Sequence, residues 1–153
     1  MGMERLASLF EELERLTGVA DIAYHEIRDG RLNPVSKTKT DQLGVEKWKS
    51  VHAEHPVYIR HDRLLREMME HPQTVVLQDV KNDPRAADEF FLFGIDSIMV
   101  LPVMQHETVK GIVVVASIGA RHDFTKEEVK RAESLVFEYK DAFQLQHKED
   151  SSR

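Results

Sequence analysis

A small group of histidine and glutamate residues near the middle of the chain has the chemistry of metal ligands. The group consists of His52, Glu54, His55 and His61. Two histidines at positions i and i+3 share one face of a helix, and imidazole nitrogens commonly bind zinc. The spacing differs from the His-Glu-x-x-His pattern of zinc hydrolases, however, and it fixes no third ligand. The sequence therefore favours solvated surface histidines, and we expect neither a metal nor another cofactor.

Three aspartates, Asp79, Asp83 and Asp96, have positions that suggest carboxylate chemistry. Asp79 and Asp83 both lie where a turn needs a hydrogen-bond acceptor, which gives them a structural role instead. The sequence shows no Ser–His–Asp order, no glycine-rich phosphate loop and no carboxylate pair of the glycosidase kind. We therefore expect that the protein is not an enzyme. An enzyme of unrecognised type is the weakest alternative, kept because fold does not fix function.

The cysteine content and the net charge exclude further classes of protein. The chain contains no cysteine, so disulfides, thiolate nucleophiles and cysteine-bound zinc or iron–sulfur clusters are excluded. A formal net charge of −6 at pH 7 argues against a nucleic-acid partner, which usually requires a basic face. One small basic patch is formed by Arg60, His61, Arg63 and Arg66, and its simplest interpretation is a solvated helix face.

The length of 153 residues is that of a single domain, which at this size buries roughly 68–70% of the surface of the unfolded chain. We assign residues 1–147 to this domain and residues 148–153 to a frayed tail. No apolar run approaches the ~20 residues that a membrane helix needs. The N-terminal segment also lacks the continuous apolar centre of a signal peptide, so we expect a cytoplasmic protein without a membrane partner.

The first part of the chain predicts a helix followed by a β-hairpin. Residues 4–16 place leucines on one side with the period of an amphipathic helix, and Gly18 is a typical residue for its C-terminal end. Residues 19–27 and 31–37 have the composition of strands. Asp29-Gly30 between them is a strong signal for a tight hairpin turn.

The segment over residues 41–73 is the least regular part of the chain. It predicts a short helix at 45–54, an extended piece at 56–60 and a second helix at 62–70. A variable segment that lies over a rigid sheet is where binding sites tend to occur.

The following part predicts the centre of a sheet. Residues 74–77 predict an apolar strand, and Pro84 is suited to the first turn of a helix over residues 85–93. The N-terminus of this helix could receive an anion. Two long β runs follow at 98–104 and 111–118. Their connection is too short for a crossover, so the two strands must be adjacent and antiparallel.

The last helix has a complete start signal. Thr125 is its predicted N-cap, Glu128 completes a capping box, and Phe124 with Val129 forms a hydrophobic staple. Its apolar stripe continues to Phe143. Together the elements predict an α+β fold in which an antiparallel sheet is covered by the terminal helices on one face and by the irregular segment on the other.

Four short motifs in the second half of the chain resemble those of the GAF domain family. They are L-Q-D-V-K-N-D-P-R at 77–85, F-x-x-x-G-I-x-S-x-x-x-x-P-V at 90–103, G-I-V-V-V at 111–115 and F-T-x-E-E at 124–128. The resemblance implies a profilin-like or PAS-like sheet of five or six strands, with a ligand pocket between the sheet and the irregular helical layer. It also implies a bacterial sensory module that forms a homodimer through its terminal helices.

Related domains bind cyclic nucleotides, haem, bilins, amino acids, oxo acids and other small metabolites, and some bind nothing. Thioether-linked bilins and the methionine sulfoxide reductase activity of one branch both require cysteine, so the composition argues against them. The chain also lacks the N-K-x-x-x-F-x-x-x-D signature of the cyclic-nucleotide branch.

The resemblance therefore predicts a sensory or regulatory domain that binds a small metabolite and signals through its terminal helices to a partner protein. The candidate ligand-binding residues are Trp48, Arg60, Arg63, Phe90, Phe91, Asp96, Ser97 and Met99. For Trp48 and the phenylalanines, simple core packing is the alternative interpretation. The alternative function is a GAF-like module without a ligand, which serves dimerisation or protein interaction.

Overall fold

The computed structural model describes residues 2–40 and 43–143, and the expected tail at 148–153 lies outside them. The described residues form five α-helices and five strands, with short 3₁₀ turns at Ile59–His61 and Val80–Asn82. The helices are α1 (Gly2–Thr17), α2 (Val45–Glu54), α3 (Arg63–Glu70), α4 (Asp88–Leu92) and α5 (Lys126–Glu138). The strands are β1 (Asp21–Arg28), β2 (Arg31–Lys37), β3 (Val75–Leu77), β4 (Ile95–Gln105) and β5 (Thr108–Ile118).

The strands form one antiparallel sheet in the order β2-β1-β5-β4-β3, which confirms the predicted fold class. Both hairpins turn through left-handed backbone conformations. Asp29 and Gly30 have φ angles of 55° and 71°, and His106 and Glu107 have φ angles of 52° and 64°. Positive φ at both central residues matches the right-handed twist of the strands, so these turns fix the register of each hairpin.

The sheet is buried on both faces, because successive side chains of a strand point to opposite sides. On β5, Val113 and Val115 belong to the core cluster that α1 and α5 form on one face. Ile112 and Ala116 of the same strand belong to a second cluster, which α3 and α4 form on the other face. The predicted arrangement of terminal helices on one side and the irregular segment on the other is therefore confirmed.

The helix ends follow the predicted signals. Gly18 has a φ of 74° and its N–H donates to the carbonyl of Glu14 at 2.7 Å, which ends α1. At α5, the Thr125 hydroxyl accepts from the Glu128 N–H at 3.0 Å, and the Glu128 carboxylate accepts from the Thr125 N–H at 2.9 Å. The predicted capping box is thus present.

Two predictions about local structure were wrong. The helix expected over 85–93 begins only at Asp88, because the Asp83 carboxylate accepts from the Arg85 N–H at 2.9 Å and closes a turn around Pro84. The anion site suggested at the start of that helix is therefore not formed at Pro84. The extended piece at 56–60 is limited to one bridge between Tyr58 and Arg31.

Among the described residues, no helix has both the length and the apolar character needed to cross a membrane.

Substitution of Gly111 tests the closest approach between β1 and β5. A Cβ atom at Gly111 would lie 2.6 Å from Cε1 of Tyr24 and 2.7 Å from the backbone oxygen of His25. We expect Gly111→Ala to lower the free energy of unfolding by about 2–3 kcal/mol, since the strands must separate to admit the methyl group. Urea denaturation measures this loss.

Gly44→Ala is the matched control, because a Cβ at Gly44 meets no atom within 4 Å and its φ of −69° suits alanine. We expect this variant to differ from the parent by less than about 0.5 kcal/mol. Equal losses in the two variants would contradict the proposed close packing.

Candidate functional site

A cavity lies between the sheet and the layer of α2, α3 and α4. Its volume is about 60 Å³. This volume holds about four or five water-sized groups. The lining residues come from every surrounding element: Asp21, Ala23, His25, Leu32, Lys37, Leu43, Trp48, His52, Asp62, Leu64, Leu65, Glu89, Phe90, Phe93, Ile95, Ile98, Val100, Ile112, Val114 and Ala116.

Aromatic rings surround one end of the cavity. The ring of His25 meets the edge of Trp48 with centroids 5.3 Å apart, and Trp48 lies 5.8 Å from His52 in the same way. His52 in turn contacts Phe93 at 5.3 Å. These elements are far apart in sequence, so the cluster joins β1 to α2 and to the segment before β4.

His25 and His52 form a buried hydrogen-bonded pair, with 3.1 Å between their Nε2 atoms. Burial holds the pKa of His25 well below its usual range, and the electrostatic effect of His52 is the smaller cause. Burial also lowers the pKa of His52 to about 4, with the positive charge of Arg31 as the smaller cause. Both rings are therefore neutral at pH 7, and one donates its Nε2 proton to the other. The Nδ1 atom of His25 is buried and has no hydrogen-bond partner among the described residues.

A second pair, Lys37 and Asp21, lies at the edge of the cavity. Lys37 Nζ donates to Asp21 Oδ1 at 2.9 Å and to the carbonyl of Thr38 at 2.9 Å. The hydroxyl of Thr40 donates to the same carboxylate oxygen. The two charged side chains are only 2% and 6% exposed. Each charge is thus compensated by its partner, and loss of either would leave a buried charge unpaired.

The third polar pair consists of two carboxyl groups, Asp62 and Glu89. Asp62 is the N-cap of α3, where its Oδ1 accepts from the Leu65 N–H at 3.1 Å. Burial raises the pKa of Glu89 to about 8, and the hydrogen bond to Asp62 together with the negative charge of Asp62 adds to this effect. Glu89 therefore holds its proton at pH 7, because burial and the neighbouring charge disfavour its ionised form.

The carboxyl pair also borders an outer cleft of about 600 Å³. Asp62 and Glu89 line both this cleft and the inner cavity. The rest of the cleft is formed by polar and apolar residues in similar numbers: Glu54, His55, Pro56, Val57, Tyr58, His61, Arg63, Pro84, Arg85, Ala86, Ala87, Asp88 and Leu92. The pair therefore lies between the inner cavity and the outer cleft.

The structure brings two of the predicted site residues, Trp48 and Phe90, to the cavity wall. Arg63 lines the outer cleft, where its Nε donates to Glu67 at 3.2 Å. Arg60 lies outside the cavity wall and stacks over the ring of Tyr58, with its guanidinium carbon 5.0 Å from the ring centroid. Phe91 is 52% exposed and points away from the cavity.

The other three predicted residues, Asp96, Ser97 and Met99, lie outside the cavity. Met99 is packed in the cluster on the opposite face of the sheet, because it alternates along β4 with its neighbours. Ser97 is fully buried and donates to the carbonyl of Gln78 at 2.8 Å. Asp96 accepts from the N–H of Gly119 at 2.8 Å and so closes the end of the sheet. Ligand contacts by the candidate residues stay a prediction.

Of the polar residues that line the cavity, the sequence singled out His52 alone, and as a possible metal ligand. His25 and Ala23 are two positions apart and lie on the same face of β1, which lines the cavity. The two-residue period of a strand would have identified His25 once that face of the hairpin was known. Glu89 was hidden inside a helix that was predicted too long. Its pairing with Asp62 joins residues distant in sequence, and no local pattern indicates it.

The histidine group separates in the structure. His52 turns into the core, whereas His55 and His61 line the outer cleft. Within residues 2–40 and 43–143, no three His, Cys, Asp or Glu side chains are grouped so that they can hold a metal ion.

Comparisons with known proteins point to one family. The family model of the GAF domain matches residues 3–138. No curated protein matches the chain. Three solved structures share the fold at low sequence identity, so they support the architecture alone.

The first is a GAF domain/HD domain protein from Geobacter sulfurreducens, with 19% identity, coverage of 91% of this chain and 89% of that chain, and a TM-score of 0.74. The second is GAF3 from Slr1393 of Synechocystis sp. PCC6803 in its photoproduct state, with 13% identity, coverage of 100% of both chains and a TM-score of 0.76. The third is a domain of a two-component sensor histidine kinase protein from Sinorhizobium meliloti 1021, with 11% identity, coverage of 98% and 96%, and a TM-score of 0.71.

A double-mutant cycle tests the buried histidine pair. His52→Phe removes the partner of His25 Nε2, so we expect a loss of about 1–3 kcal/mol of unfolding free energy at pH 7. The double variant His25→Leu/His52→Phe leaves no unpaired imidazole nitrogen, and its loss should be smaller than the sum of the two single losses. Urea unfolding measures all four proteins, and additive losses would contradict the pairing.

The same cycle has a pH signature. The folded protein binds protons at His25 and His52 less readily than the unfolded chain, whose histidine pKa is 6.5. Stability from this pair is therefore complete above pH 6.5 and is lost as the pH falls towards 4. The double variant should lack this loss.

Glu89→Gln tests the proton that Glu89 holds. The folded pKa of about 8 lies above the unfolded value of 4.5, so the stability that Glu89 contributes is complete below pH 4.5 and falls as the pH rises to 8. Glutamine cannot ionise, and we expect the variant to exceed the parent in stability at pH 9 by roughly 2 kcal/mol. Thermal unfolding from pH 5 to pH 9 measures the difference. A parallel pH profile in parent and variant would show that Glu89 is ionised throughout.

Proposed function

The chain belongs to the GAF domain family, and from this membership we propose that it is a sensory domain that binds a small metabolite in the cavity and signals through its terminal helices. The sensor histidine kinase domain from Sinorhizobium meliloti supports a signalling context for this fold. Membership alone supports no particular ligand, and the features that favour binding are those of the cavity.

The single observation that favours a ligand is the unpaired Nδ1 atom of His25 in the cavity wall. Buried polar atoms are normally hydrogen-bonded, and one without a described partner indicates a molecule that completes the site. The cavity of about 60 Å³ gives such a molecule room beside it. Larger ligands require the short elements α3 and α4 to move outward from the sheet.

A single layer of strands separates the cavity from the terminal helices. In β1, His25 faces the cavity while its neighbour Tyr24 packs against Phe143, with ring centroids 4.7 Å apart. Phe143 follows Asp141, which accepts two hydrogen bonds of 3.0 Å from Arg5 in α1. A ligand that shifts β1 therefore acts on contacts between both ends of the chain. Such a shift requires different affinities for two conformations.

A dimerisation or protein-interaction module is the second candidate function. The observation that favours it is Phe137 on α5, which is 68% exposed and has Lys140 Nζ 4.3 Å above its ring. The apolar stripe of α1 is less available for a partner, since Leu6, Leu9 and Leu13 are all buried in the chain's own core. Homodimerisation would thus use the outer surfaces of the terminal helices.

A thermal-shift screen of uncharged, anionic and cationic metabolites tests the proposed function. We expect at least one class to raise the melting temperature of the parent, because a ligand that binds only the folded state stabilises it. Ala116→Val places two more carbon atoms in the cavity wall, and it should abolish the shift. Ala120→Val adds the same atoms at an exposed position outside the cavity and should retain the shift.

Stabilisation that survives Ala116→Val would place the ligand elsewhere. Failure of every class to stabilise the parent would favour the interaction module. Hydrogen exchange on the stabilised protein then reports whether amides of α5 respond together with those of β1, as signalling through the terminal helices requires.

A further inference from the structure

We propose that the cavity binds a small uncharged alcohol, whose hydroxyl group pairs with Nδ1 of His25 and whose hydrocarbon body lies on the apolar part of the cavity wall. This inference rests on the proposed function and assigns its ligand class. The cavity volume of about 60 Å³ favours a molecule of about four or five non-hydrogen atoms.

The Nδ1 atom of His25 is the unsatisfied polar group of this wall. Among the described residues that line the cavity, His25 is the one whose side chain has a buried polar atom without a hydrogen-bond partner. The residue is only 5% exposed, so bulk solvent does not replace the missing hydrogen bond. Its Nε2 atom is already engaged with Nε2 of His52 at 3.1 Å. A molecule that completes the site must therefore pair with Nδ1.

The histidine pair determines which groups can bond to this Nδ1 atom. Both rings are neutral at pH 7, so one proton lies between their Nε2 atoms. If His25 donates this proton, its Nδ1 atom is an acceptor, and if His52 donates it, Nδ1 of His25 carries a proton and is a donor. A hydroxyl group both donates and accepts, so it fits either arrangement. An ammonium group only donates and a carboxylate only accepts, so each of them fits one arrangement alone.

The charges around the cavity favour an uncharged ligand. Lys37 and Asp21 compensate each other within the wall. Besides burial, the positive charge of Arg31 lowers the pKa of His52, and the same charge opposes an ammonium group beside the histidine pair. Asp62, the N-cap of α3, lines the cavity and opposes a carboxylate. A ligand charge of either sign therefore meets a like charge, and it loses its hydration as well.

Arg31 and Glu89 do not compensate a charged ligand inside the cavity. Arg31 has a buried Nε atom without a hydrogen-bond partner among the described residues, but it does not line the cavity. Glu89 lines the cavity but holds its proton at pH 7, because burial raises its pKa to about 8. Neither residue therefore places an opposite charge against a ligand at His25.

The wall beside His25 favours a hydrocarbon body over a group of water molecules. Ile112 lies opposite His25 on β5, Val114 lies opposite Ala23, and all four residues line the cavity. A buried water molecule typically makes about three hydrogen bonds with polar groups. Several waters in this cavity would compete for one unpaired nitrogen, Nδ1 of His25. An alcohol satisfies this atom with its single hydroxyl group and covers the apolar wall with carbon.

NMR titration of the full chain at pH 7 with four probes of similar shape tests the inference. The probes are isobutanol, isobutyl chloride, isobutylamine and isobutyrate, which differ in the polar group that the same branched chain carries. We expect isobutanol to bind about tenfold or more tightly than either charged probe, because it brings no charge into the cavity.

The ¹⁵N signal of the His25 side chain reports the contact directly. We expect isobutanol to shift the Nδ1 signal in long-range ¹H–¹⁵N spectra. Isobutyl chloride donates no hydrogen bond and accepts poorly, so it should leave this signal nearly unchanged. An Nδ1 signal that responds equally to both probes, or to neither at saturation, would overturn the inference. This measurement uses the parent protein and needs no variant.

The double variant His25→Leu/His52→Phe removes both imidazoles. We expect the ratio of the affinities for isobutanol and isobutyl chloride to fall by about tenfold in this variant, since only the alcohol loses a hydrogen-bond partner. His71→Leu, at an exposed position outside the cavity, is the matched control and should keep the ratio of the parent. An unchanged ratio in the folded double variant would overturn the inference.

Two other results overturn the inference while leaving the proposed function intact. They are tighter binding of a charged probe than of isobutanol, and no binding of isobutanol while the metabolite screen finds a stabilising compound. If no probe binds and the screen also finds nothing, the proposed function fails together with the ligand class.

Discussion

The central strands have buried side chains on both faces, and this constraint determines where every other element lies. Antiparallel sheets commonly leave one face to solvent, but β1, β4 and β5 alternate apolar residues on both sides. The amphipathic helices α1 and α5 cover one face with long, regular stripes. The other face is covered by several short pieces, which pack less completely than two long helices do. The cavity lies on that face, and the irregularity of its cover is the physical reason.

The polar groups in the cavity have a cost that apolar residues in the same places would avoid. The groups that lose hydration there are two neutral imidazoles, a buried ion pair and the protonated carboxyl of Glu89. Their mutual hydrogen bonds offset part of this cost, yet Nδ1 of His25 stays unpaired among the described residues. Local rules of stable folding are broken mainly at functional sites. The concentration of such groups around one small cavity supports the proposed role of this cavity in recognition.

The sequence predicted the sheet well because its signals are local. The turn residues Asp29 and Gly30, the capping box at Thr125 and the two long β runs each specify structure within a few neighbours. The cavity was predicted less well, since it depends on which face a residue occupies and on pairs distant in sequence. Met99 has the type of a pocket residue but the wrong parity on β4, where Ile98 and Val100 face the cavity instead. Glu89 and Asp62 meet only after the chain has folded.

The thinness of the sheet gives a physical basis for communication between its two sides. Packed interiors transmit displacement because they contain little free volume. Gly111 of β5 lies so close to Tyr24 that no Cβ fits between them, so β1 cannot move towards β5 at this point. If a ligand binds beside His25 as proposed, any displacement of β1 must therefore take another direction, along the strand or away from β5. Tyr24 then moves against Phe143, and the contact between Arg5 and Asp141 joins that motion to both ends of the chain. In the proposed function, the close approach of these two strands thus limits which displacements of the sheet can reach the terminal helices.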